Sequence, residues 1–290
     1  IAQTDNVSER STMSIFHAVF LGITQGLSEF FPISSSGHLE LLPRVLGWND
    51  FNNDNRLENT FDVALHVGTL AGAITFLWAD VKRYGMALLR ASARKAKWTQ
   101  DGKIGLYLLL SAAPAALCAL SIEPVLLGLA ENLSLIALLL ILFGSFMGLA
   151  DWKRTQERQI EHASASHIAI FATAQAAALL PGVSRSGVIL TVARILKFER
   201  TAAARLAFLM ALPVIFGAGL YRGTDIALTG LPDGFLLPLA IGMVSAGVTG
   251  WIAVWVVLRL LKFGSLMPFV IYRIVLGLSI LLILALGFQA

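Results

Sequence analysis

Two short polar clusters interrupt an otherwise apolar sequence, and both contain residue types that can do chemistry. The first cluster contains the polar residues Gln25, Glu29, Ser34, Ser35, Ser36 and His38, together with Gly37. Gln25 and Glu29 are four positions apart and therefore share one face of a helix. A carboxylate among apolar side chains is costly to ionise, so Glu29 is expected to hold a cation or a proton that a reaction needs. Small hydroxyl residues and glycine allow backbone N–H groups to converge on an anion at the start of the following helix.

The second cluster supplies a positive charge. It follows a Pro-Gly pair and contains the polar residues Ser184, Arg185 and Ser186, together with Gly187. The planar guanidinium of Arg185 matches two phosphate oxygens. Two hydroxyl-rich helix starts that together hold one Glu, one Arg and one His suit a pyrophosphate group, and we expect the two clusters to bind it jointly.

For hydrolysis of such a group, the residue types leave the nucleophile open. Ser35 or His38 could attack phosphorus, and His38 could instead be the base for a serine. Glu29 could hold a divalent cation that bridges phosphate oxygens, or it could orient the nucleophile. The residues expected to bind the substrate are Gln25, Ser34, Ser36, Gly37, Ser184, Ser186 and Gly187.

The same residues also have structural interpretations. Serine and glycine clusters in membrane helices often serve close packing, which is the expected role of Gly22 and Gly26. Glu29 and Arg185 could form a structural ion pair, although charged residues within membrane segments are functional or paired by default. His38 could simply satisfy a backbone carbonyl.

Three further polar residues are weaker candidates. Asp62 and His66 are four positions apart and could form half of a metal site. We favour a role for Asp62 at a helix N-terminus after Thr60, with His66 as a packed polar residue. Arg273 lies beside Tyr272 at the start of an apolar segment, where snorkelling towards the membrane surface would explain it.

The composition identifies the solvent that surrounds the protein. Hydrophobic residues make up 57% of the 290 residues, charged residues only 14%, and the mean hydropathy is +0.75. Soluble domains carry roughly 25% charged residues, so we predict an integral membrane protein that forms a single domain from 13 to 290. The polar residues 1–12, before Met13, are interpreted as a tail outside this domain. The single cysteine excludes an intrachain disulfide.

Six apolar segments are long enough to cross a bilayer, for which roughly 20 residues are required. They are approximately 61–79, 104–122, 133–150, 203–221, 236–258 and 267–288. Two further apolar stretches, 14–48 and 167–198, are each interrupted by one of the polar clusters, and their arms are too short to span comfortably. Irregular backbone at membrane depth is tolerated only where protein or water satisfies it, which predicts two re-entrant helical hairpins that meet inside the protein.

The basic residues predict the orientation in the membrane. With six spans and two hairpins, one side of the membrane receives 16 of the 22 Lys and Arg residues, in loops 80–103, 151–166, 194–205 and 259–266. Because Lys and Arg are enriched in cytoplasmic loops, both termini are predicted to be periplasmic. We interpret the basic loop 80–103 as a topology signal and an anionic-lipid contact, not as a nucleic-acid site.

An internal repeat connects the two clusters. A shift of 150 positions places identical residues of the two halves on one another: Gln25 on Gln175, Ser34 on Ser184, Ser36 on Ser186 and Gly37 on Gly187. Three predicted spans separate the hairpins, so the second hairpin enters from the opposite face of the membrane. The sequence therefore predicts an all-α polytopic fold of two inverted-topology repeats, approximately 13–122 and 133–288, with a site near the membrane midplane.

These motifs resemble the signatures of the undecaprenyl pyrophosphate phosphatases, the bacitracin-resistance family. The resemblance covers essentially the whole chain from Met13 and is carried by Gln25-x-x-x-Glu29, Pro32-x-Ser34-Ser35-Ser36-Gly37-His38, Pro181-Gly182-x-Ser184-Arg185-Ser186-Gly187 and Pro268-Phe269-x-x-Tyr272-Arg273. Two long motifs in the right order, one in each hairpin, are highly specific.

The resemblance implies hydrolysis of undecaprenyl pyrophosphate to the monophosphate, which recycles the carrier lipid for peptidoglycan and other envelope glycans. It also implies a multi-pass protein of the bacterial inner membrane, a periplasm-facing site and a requirement for Mg²⁺ or Ca²⁺. The family's acidic motif falls on Gln25 and Glu29, where Gln25 cannot supply a second carboxylate. Its nucleophile candidates fall on Ser35 and His38, and its phosphate-binding arginine falls on Arg185.

A transporter is the main alternative to an enzyme. Inverted repeats with broken helices are also transporter architecture, so the protein could instead carry or flip a polyprenyl phosphate lipid across the membrane. A transporter needs no nucleophile, and lipid flux that survives the loss of Ser35 and His38 would support it. The expected partners in both cases are a polyprenyl pyrophosphate lipid and the bilayer, without nucleic acid, and the sequence leaves a homodimer open.

Overall fold

The computed structural model describes residues 13–51, 54–93, 97–130, 132–152 and 155–287. Within these ranges the chain is helical and forms no β-strand. The predicted all-α fold is therefore confirmed. The predicted tail, residues 1–12, lies outside the described residues.

The described residues form twelve α-helices and one short 3₁₀ turn. In chain order the helices are α1 (Ile15–Phe30), α2 (Ser35–Leu46), α3 (Asn55–Phe76), α4 (Trp78–Ser92), α5 (Gln100–Leu110), α6 (Ala112–Ala130), α7 (Leu133–Asp151), α8 (Ala165–Ala177), α9 (Arg185–Ile195), α10 (Arg200–Thr229), α11 (Leu236–Phe263) and α12 (Met267–Ala285), with the 3₁₀ turn at Ile160–His162. Polar caps fix several starts. The side chains of Asn132 and Ser164, for example, accept hydrogen bonds from amides in the first turns of α7 and α8.

Five or six membrane crossings are supported by the length and composition of the described helices. Five stretches qualify alone: Gln100–Ile122, Leu133–Asp151, Arg200–Thr229, Leu236–Phe263 and Met267–Ala285. They overlap five of the six predicted spans. The remaining predicted span, 61–79, falls in the pair α3–α4, which bends by 86° and raises the number to six if it is counted as one span.

Two pairs of helices, α1–α2 and α8–α9, contain the polar clusters at their turns. The second helices have only 12 and 11 residues, fewer than the roughly 20 that a bilayer requires. They begin at Ser35 and Arg185, which are 150 positions apart, and this separation equals the shift of the predicted repeat. The preceding residues, Ser34 and Ser184, have positive φ angles of 76° and 70°. Each of these serine hydroxyls caps the following helix by accepting a hydrogen bond from the amide three positions on.

Glycines hold the first hairpin against α11. A Cβ at Gly22 would lie 2.5 Å from the carbonyl oxygen of Gly242. A Cβ at Gly26 would lie 2.6 Å from the carbonyl oxygen of Ala246. Only glycine permits this approach, so the predicted packing role of Gly22 and Gly26 is confirmed. The close contact fixes the position of the helix that carries Glu29.

The four basic loops gather at one end of the helix bundle. The contacts that join them are Arg83–Glu161 at 2.9 Å, Arg205–Asp80 at 2.6 Å and the amide of Leu266 to Asp151 at 3.0 Å. At the other end, an ion pair of 3.2 Å between Arg56 and Asp225 joins the start of α3 to the end of α10. The basic loops therefore share one end of the bundle.

Helix α3 begins earlier than expected. Its N-cap is Asp54, whose side chain accepts hydrogen bonds from the amides of Arg56 and Leu57. Asp62 therefore lies inside the helix, and the interpretation that it complements a helix N-terminus after Thr60 is wrong. The first turns of α3 are polar, and apolar periodicity therefore did not reveal them.

Candidate functional site

Glu29 lies at the centre of a group of polar side chains that come from four helices. It stands near the end of α1 and is 7% exposed. Its Oε2 accepts a hydrogen bond of 3.1 Å from Nε2 of Gln25, one turn earlier on α1. The same oxygen accepts a hydrogen bond of 2.8 Å from Oγ of Ser35, at the start of α2. The predicted shared face of Gln25 and Glu29 is confirmed.

The second hairpin reaches the same carboxylate. Arg185, the first residue of α9, donates to Oε1 of Glu29 in an ion pair that joins residues 156 positions apart. Ser186 Oγ lies 3.3 Å from the carbonyl oxygen of Glu29 and 3.4 Å from that of Phe31. The two polar clusters therefore meet, as the sequence predicts.

His66 of α3 also belongs to this group. Its Nε2 lies 3.4 Å from Oε2 of Glu29. Its Nδ1 donates a hydrogen bond of 2.7 Å to the carbonyl oxygen of Asp62. The interpretation of His66 as a packed polar residue is therefore incomplete. The spacing of Asp62 and His66 was a signal for a shared face, but it did not indicate which helix that face would meet.

His38 is hydrogen-bonded to groups other than Ser35 and Glu29. Its Nδ1 donates to the carbonyl oxygen of Ser34 at 2.7 Å. Its Nε2 lies 2.7 Å from the hydroxyl of Tyr272 on α12. Because a carbonyl can only accept, Nδ1 carries the proton, and Nε2 of the neutral ring accepts from Tyr272. His38 therefore does satisfy a backbone carbonyl, as one of the two interpretations of this residue has it, and Tyr272 is a partner that spacing along the chain did not indicate.

The other residues expected to bind substrate shape the two turns. In the first turn, the hydroxyl of Ser34 lies near the hydroxyl of Ser36 and accepts a hydrogen bond from the amide of Gly37. In the second turn, the hydroxyl of Ser184 has the same relation to Ser186 and Gly187. Ser36 is exposed, whereas the other five are buried. Ser36 is thus accessible to a ligand, and the buried residues set the backbone of the turns.

Arg273 of α12 joins the two turns. Its side chain is fully buried, at 0% exposure. It donates a hydrogen bond of 3.2 Å to the carbonyl oxygen of Pro32 in the first turn. It also donates to the carbonyl oxygens of Gly182 and Val183 in the second turn, at 2.8 and 3.0 Å. Snorkelling is therefore wrong as the explanation of Arg273, because the side chain supplies donors to irregular backbone inside the protein.

The arrangement can activate a hydroxyl group. Ser35 directs its hydroxyl proton at Glu29, and Arg185 holds that carboxylate from the other side. A nucleophile hydrogen-bonded to a base that a third group orients is the general pattern of nucleophilic catalysis. Ser35 is only partly buried and its neighbour Ser36 is exposed, so the first turn reaches the surface of the protein.

A divalent cation fits this site through oxygen ligands. Among the described residues, no group of three or more His, Cys, Asp or Glu side chains is arranged to hold a metal ion. One carboxylate, Glu29, is present, and beside it Oε1 of Gln25 is buried without a hydrogen-bond partner in the described part of the chain. Mg²⁺ is commonly held by one or two carboxylates together with substrate phosphates, so a single carboxylate suits it.

Comparison with known proteins identifies the family. Residues 18–279 match the family described as Bacitracin resistance protein BacA. The chain belongs to this family. The matched range includes both turns and the side chains described above that contact Glu29, so the resemblance predicted from the motifs is confirmed.

Curated relatives of this chain share one name. An undecaprenyl-diphosphatase of Pelobacter propionicus is 38% identical over 276 residues, which cover 95% of this chain and 99% of the relative. That of Geobacter sulfurreducens is 38% identical and covers 93% of this chain and 98% of its own length. That of Aliivibrio salmonicida is 37% identical and covers 94% of this chain and 100% of its own length. Together with the apolar helices, this family membership makes the chain a multi-pass membrane protein.

Proposed function

We propose that the protein hydrolyses undecaprenyl pyrophosphate to undecaprenyl phosphate and inorganic phosphate, which recycles the carrier lipid for peptidoglycan and envelope glycan synthesis. The observation that carries this proposal is the meeting of Ser35, Glu29 and Arg185 from two separate hairpins. A hydroxyl with its base, next to a guanidinium, suits attack at phosphorus. Relatives named undecaprenyl-diphosphatase, at 38% identity over nearly the full chain, support the same substrate.

Ser35 is the nucleophile in this mechanism. Glu29 takes the hydroxyl proton as Oγ of Ser35 bonds to the terminal phosphorus, and the bond from that phosphorus to the bridging oxygen breaks. The lipid monophosphate leaves with the electron pair. Water then attacks the phosphorus of the phosphoserine, the bond between that phosphorus and Oγ of Ser35 breaks, and Oγ recovers its proton from Glu29 as inorganic phosphate is released. Arg185 exchanges its contact with Glu29 for oxygens of the transferred phosphoryl group, whose developing charge it stabilises.

His38 supports the turn in this mechanism and does not attack phosphorus. Both of its ring nitrogens are hydrogen-bonded, one to the carbonyl of Ser34 and one to Tyr272. Ser34 immediately precedes Ser35, so the imidazole helps to fix the backbone that carries the nucleophile. Retained activity after Ser35→Ala, with loss after His38→Ala, would reverse these two roles.

A divalent cation, Mg²⁺ or Ca²⁺, is the cofactor in this proposal. Glu29 would hold it, beside the unpartnered Oε1 of Gln25. When bound, the ion neutralises charge on the phosphate oxygens. The contribution of the protein is a buried carboxylate and a guanidinium that are positioned before the substrate arrives.

The same proposal includes six membrane spans and two re-entrant hairpins, arranged as two inverted repeats within one domain from 13 to 290. The similar backbone angles of Ser34 and Ser184 and the same capping hydrogen bond at both turns support the repeat. The short helices α2 and α9 support re-entrant hairpins. The basic loops at one end of the bundle support an orientation with those loops in the cytoplasm of a bacterial inner membrane and the site open to the periplasm.

An assay of phosphate release tests the proposed function. Purified protein in detergent should release phosphate from a polyprenyl pyrophosphate with Mg²⁺ and not with a chelator. Glu29→Ala and Arg185→Ala should each slow release by roughly 10²- to 10³-fold, while Glu157→Gln, in an exposed ion pair with Lys197, should retain it. Absence of release from folded, lipid-binding protein would contradict the proposal. Directional lipid flux that survives Ser35→Ala and His38→Ala would then establish a transporter.

A further inference from the structure

We propose that His66 is a second protein ligand of the divalent cation, so that α1 and α3 hold the ion together. This inference rests on the proposed function, which places the cation at Glu29. It adds a nitrogen ligand from a separate helix to a site that otherwise has oxygen ligands. Four observations carry it: the orientation of the imidazole, its distance from Glu29, an unpartnered oxygen on Gln25 and the charge of the group.

The imidazole of His66 is held in the orientation that metal-ligating histidines adopt. Its Nδ1 donates to the carbonyl oxygen of Asp62 at 2.7 Å, since a carbonyl can only accept. The other nitrogen, Nε2, is the one directed at Glu29. Histidine ligands nearly always donate their second ring N–H to a carbonyl or a carboxylate, which fixes the tautomer and the ring plane. His66 has this arrangement within its own helix.

The distance between His66 and Glu29 suits two ligands of one ion. Nε2 of His66 lies 3.4 Å from Oε2 of Glu29. Direct N–H···O hydrogen bonds are shorter, at about 2.7–3.2 Å. Two atoms at the observed separation can both reach a single ion over metal–ligand bonds of roughly 2.1 Å.

A side chain that contacts Glu29 also carries a buried acceptor without a partner. Gln25 is 0% exposed, and its Oε1 has no hydrogen-bond partner among the residues that the structure describes. The Nε2 of this side chain donates to Oε2 of Glu29, the oxygen that His66 faces. Buried acceptors without a partner are uncommon. A cation, or a water molecule bound to it, would supply the missing partner.

The charge of the group favours a neutral second ligand. Arg185 already pairs with Glu29 and would repel a cation until phosphate oxygens draw the guanidinium away. An additional carboxylate would bind the ion more strongly but would also repel the pyrophosphate. A neutral imidazole provides a ligand without adding negative charge. The structure therefore predicts that the ion binds best when phosphate is present.

An imidazole ligand changes the expected metal preference. Oxygen ligands suit Mg²⁺ and Ca²⁺, whereas imidazole suits later divalent metals, and affinity at mixed nitrogen and oxygen sites rises from Mn²⁺ to Co²⁺ and beyond. We expect Mn²⁺ and Co²⁺ to bind more tightly than Ca²⁺. His66→Gln should reduce this preference, because the remaining protein ligands are oxygens.

Pulsed electron paramagnetic resonance of bound Mn²⁺ tests the assignment, because a coordinated imidazole nitrogen modulates the signal. The probe is Mn²⁺ with inorganic phosphate, which occupies Arg185 without turnover. We expect nitrogen modulation in the wild-type protein, a changed pattern when its histidines are isotopically labelled, and loss of the modulation in His66→Gln. Mn²⁺ binding should weaken by at least roughly tenfold in that variant, because even the loss of an outer-shell partner of a metal ligand costs roughly 10- to 100-fold. His162→Gln, in the 3₁₀ turn, is the matched control among the five histidines and should retain both properties.

Two outcomes would overturn the assignment. Bound Mn²⁺ without nitrogen modulation, or modulation unchanged in His66→Gln, would leave the contact with Glu29 as an ion pair of a protonated histidine. The labelled wild-type protein shows whether a histidine coordinates the ion even if His66→Gln fails to fold. Because the readout requires no turnover, failure of the proposed phosphatase activity and failure of the His66 assignment are observed separately.

Discussion

The turns at Ser34 and Ser184 have similar backbone conformations but carry different chemical groups. Both serines have a positive φ and cap a helix that begins at the next residue. That next residue is Ser35 in the first turn and Arg185 in the second. At the positions equivalent to Glu29 and His38, the second hairpin has Leu179 and Val188.

One local structure therefore serves two roles in this protein. A turn of this kind presents one side chain at the start of its helix, so a nucleophile and a phosphate-binding cation require two turns. The first hairpin also receives His66 from α3 and Tyr272 from α12. We therefore expect changes in the first hairpin to affect turnover most and changes in the second to affect binding as well.

Removal of the hydroxyl in the first hairpin should have the largest effect. Ser35→Ala retains Glu29 but lacks the proposed nucleophile, so kcat should fall on the order of 10³-fold or more. Phosphate release from a polyprenyl pyrophosphate measures this loss. Ser36→Ala, at the exposed neighbour, is the matched control and should lose less than about tenfold. Full activity in Ser35→Ala would move the nucleophile to His38.

Replacement of the arginine in the second hairpin by lysine should have the next largest effect. Arg185→Lys retains the charge but lacks the planar fork, so kcat/KM should fall by about 10²-fold, with KM raised. Steady-state kinetics separate the two parameters. Arg90→Lys, on the exposed side of α4, is the control. An unchanged kcat/KM in Arg185→Lys would remove the bidentate contact from the proposal.

Loss of the Tyr272 hydroxyl should have a smaller effect. Tyr272→Phe removes one hydrogen bond to Nε2 of His38. Because a single hydrogen bond contributes modestly to stability, kcat should fall by roughly three- to tenfold. Tyr221→Phe, on the outer part of α10, is the matched control. A loss as large as that of Ser35→Ala would mean that His38 takes part in the chemical step.

The smallest effects should follow the removal of the two serine hydroxyls that cap α2 and α9. Ser34→Ala and Ser184→Ala each remove a capping hydrogen bond, which should lower the free energy of unfolding by about 1 kcal/mol in both hairpins. Glycine at either position should cost less than alanine, because the positive φ suits glycine. Thermal unfolding in detergent measures both pairs. Clearly unequal losses would show that the two turns are not structurally equivalent.

The residues at the turns could be predicted from the sequence because polar groups are costly in an apolar segment unless they are used. Glu29 and Arg185 stand out by type, and the two interruptions rich in Pro, Gly and Ser, together with the repeat, indicated that their hairpins would meet. A contact between Ser35 and Glu29 could also be expected, because only six positions separate these residues in the sequence.

The partners from distant helices could not be predicted in this way. Tyr272 lies 234 positions from His38, and Arg273 lies 241 positions from Pro32. An arginine at the start of an apolar helix can extend its side chain to the membrane surface or bury it inside the protein. Only the packing of α12 against its neighbours decides between these two positions. His66 likewise depends on which face of α3 meets α1.

In the proposed mechanism, Glu29 and Arg185 act as one unit across the two hairpins. The most direct test compares kcat/KM for phosphate release in the wild-type protein, Glu29→Gln, Arg185→Ala and the double variant. Residues that act as a unit are strongly non-additive, so the double variant should lose no more than about what the worse single variant loses. Losses that multiply, as expected for two independent sites, would contradict this mechanism.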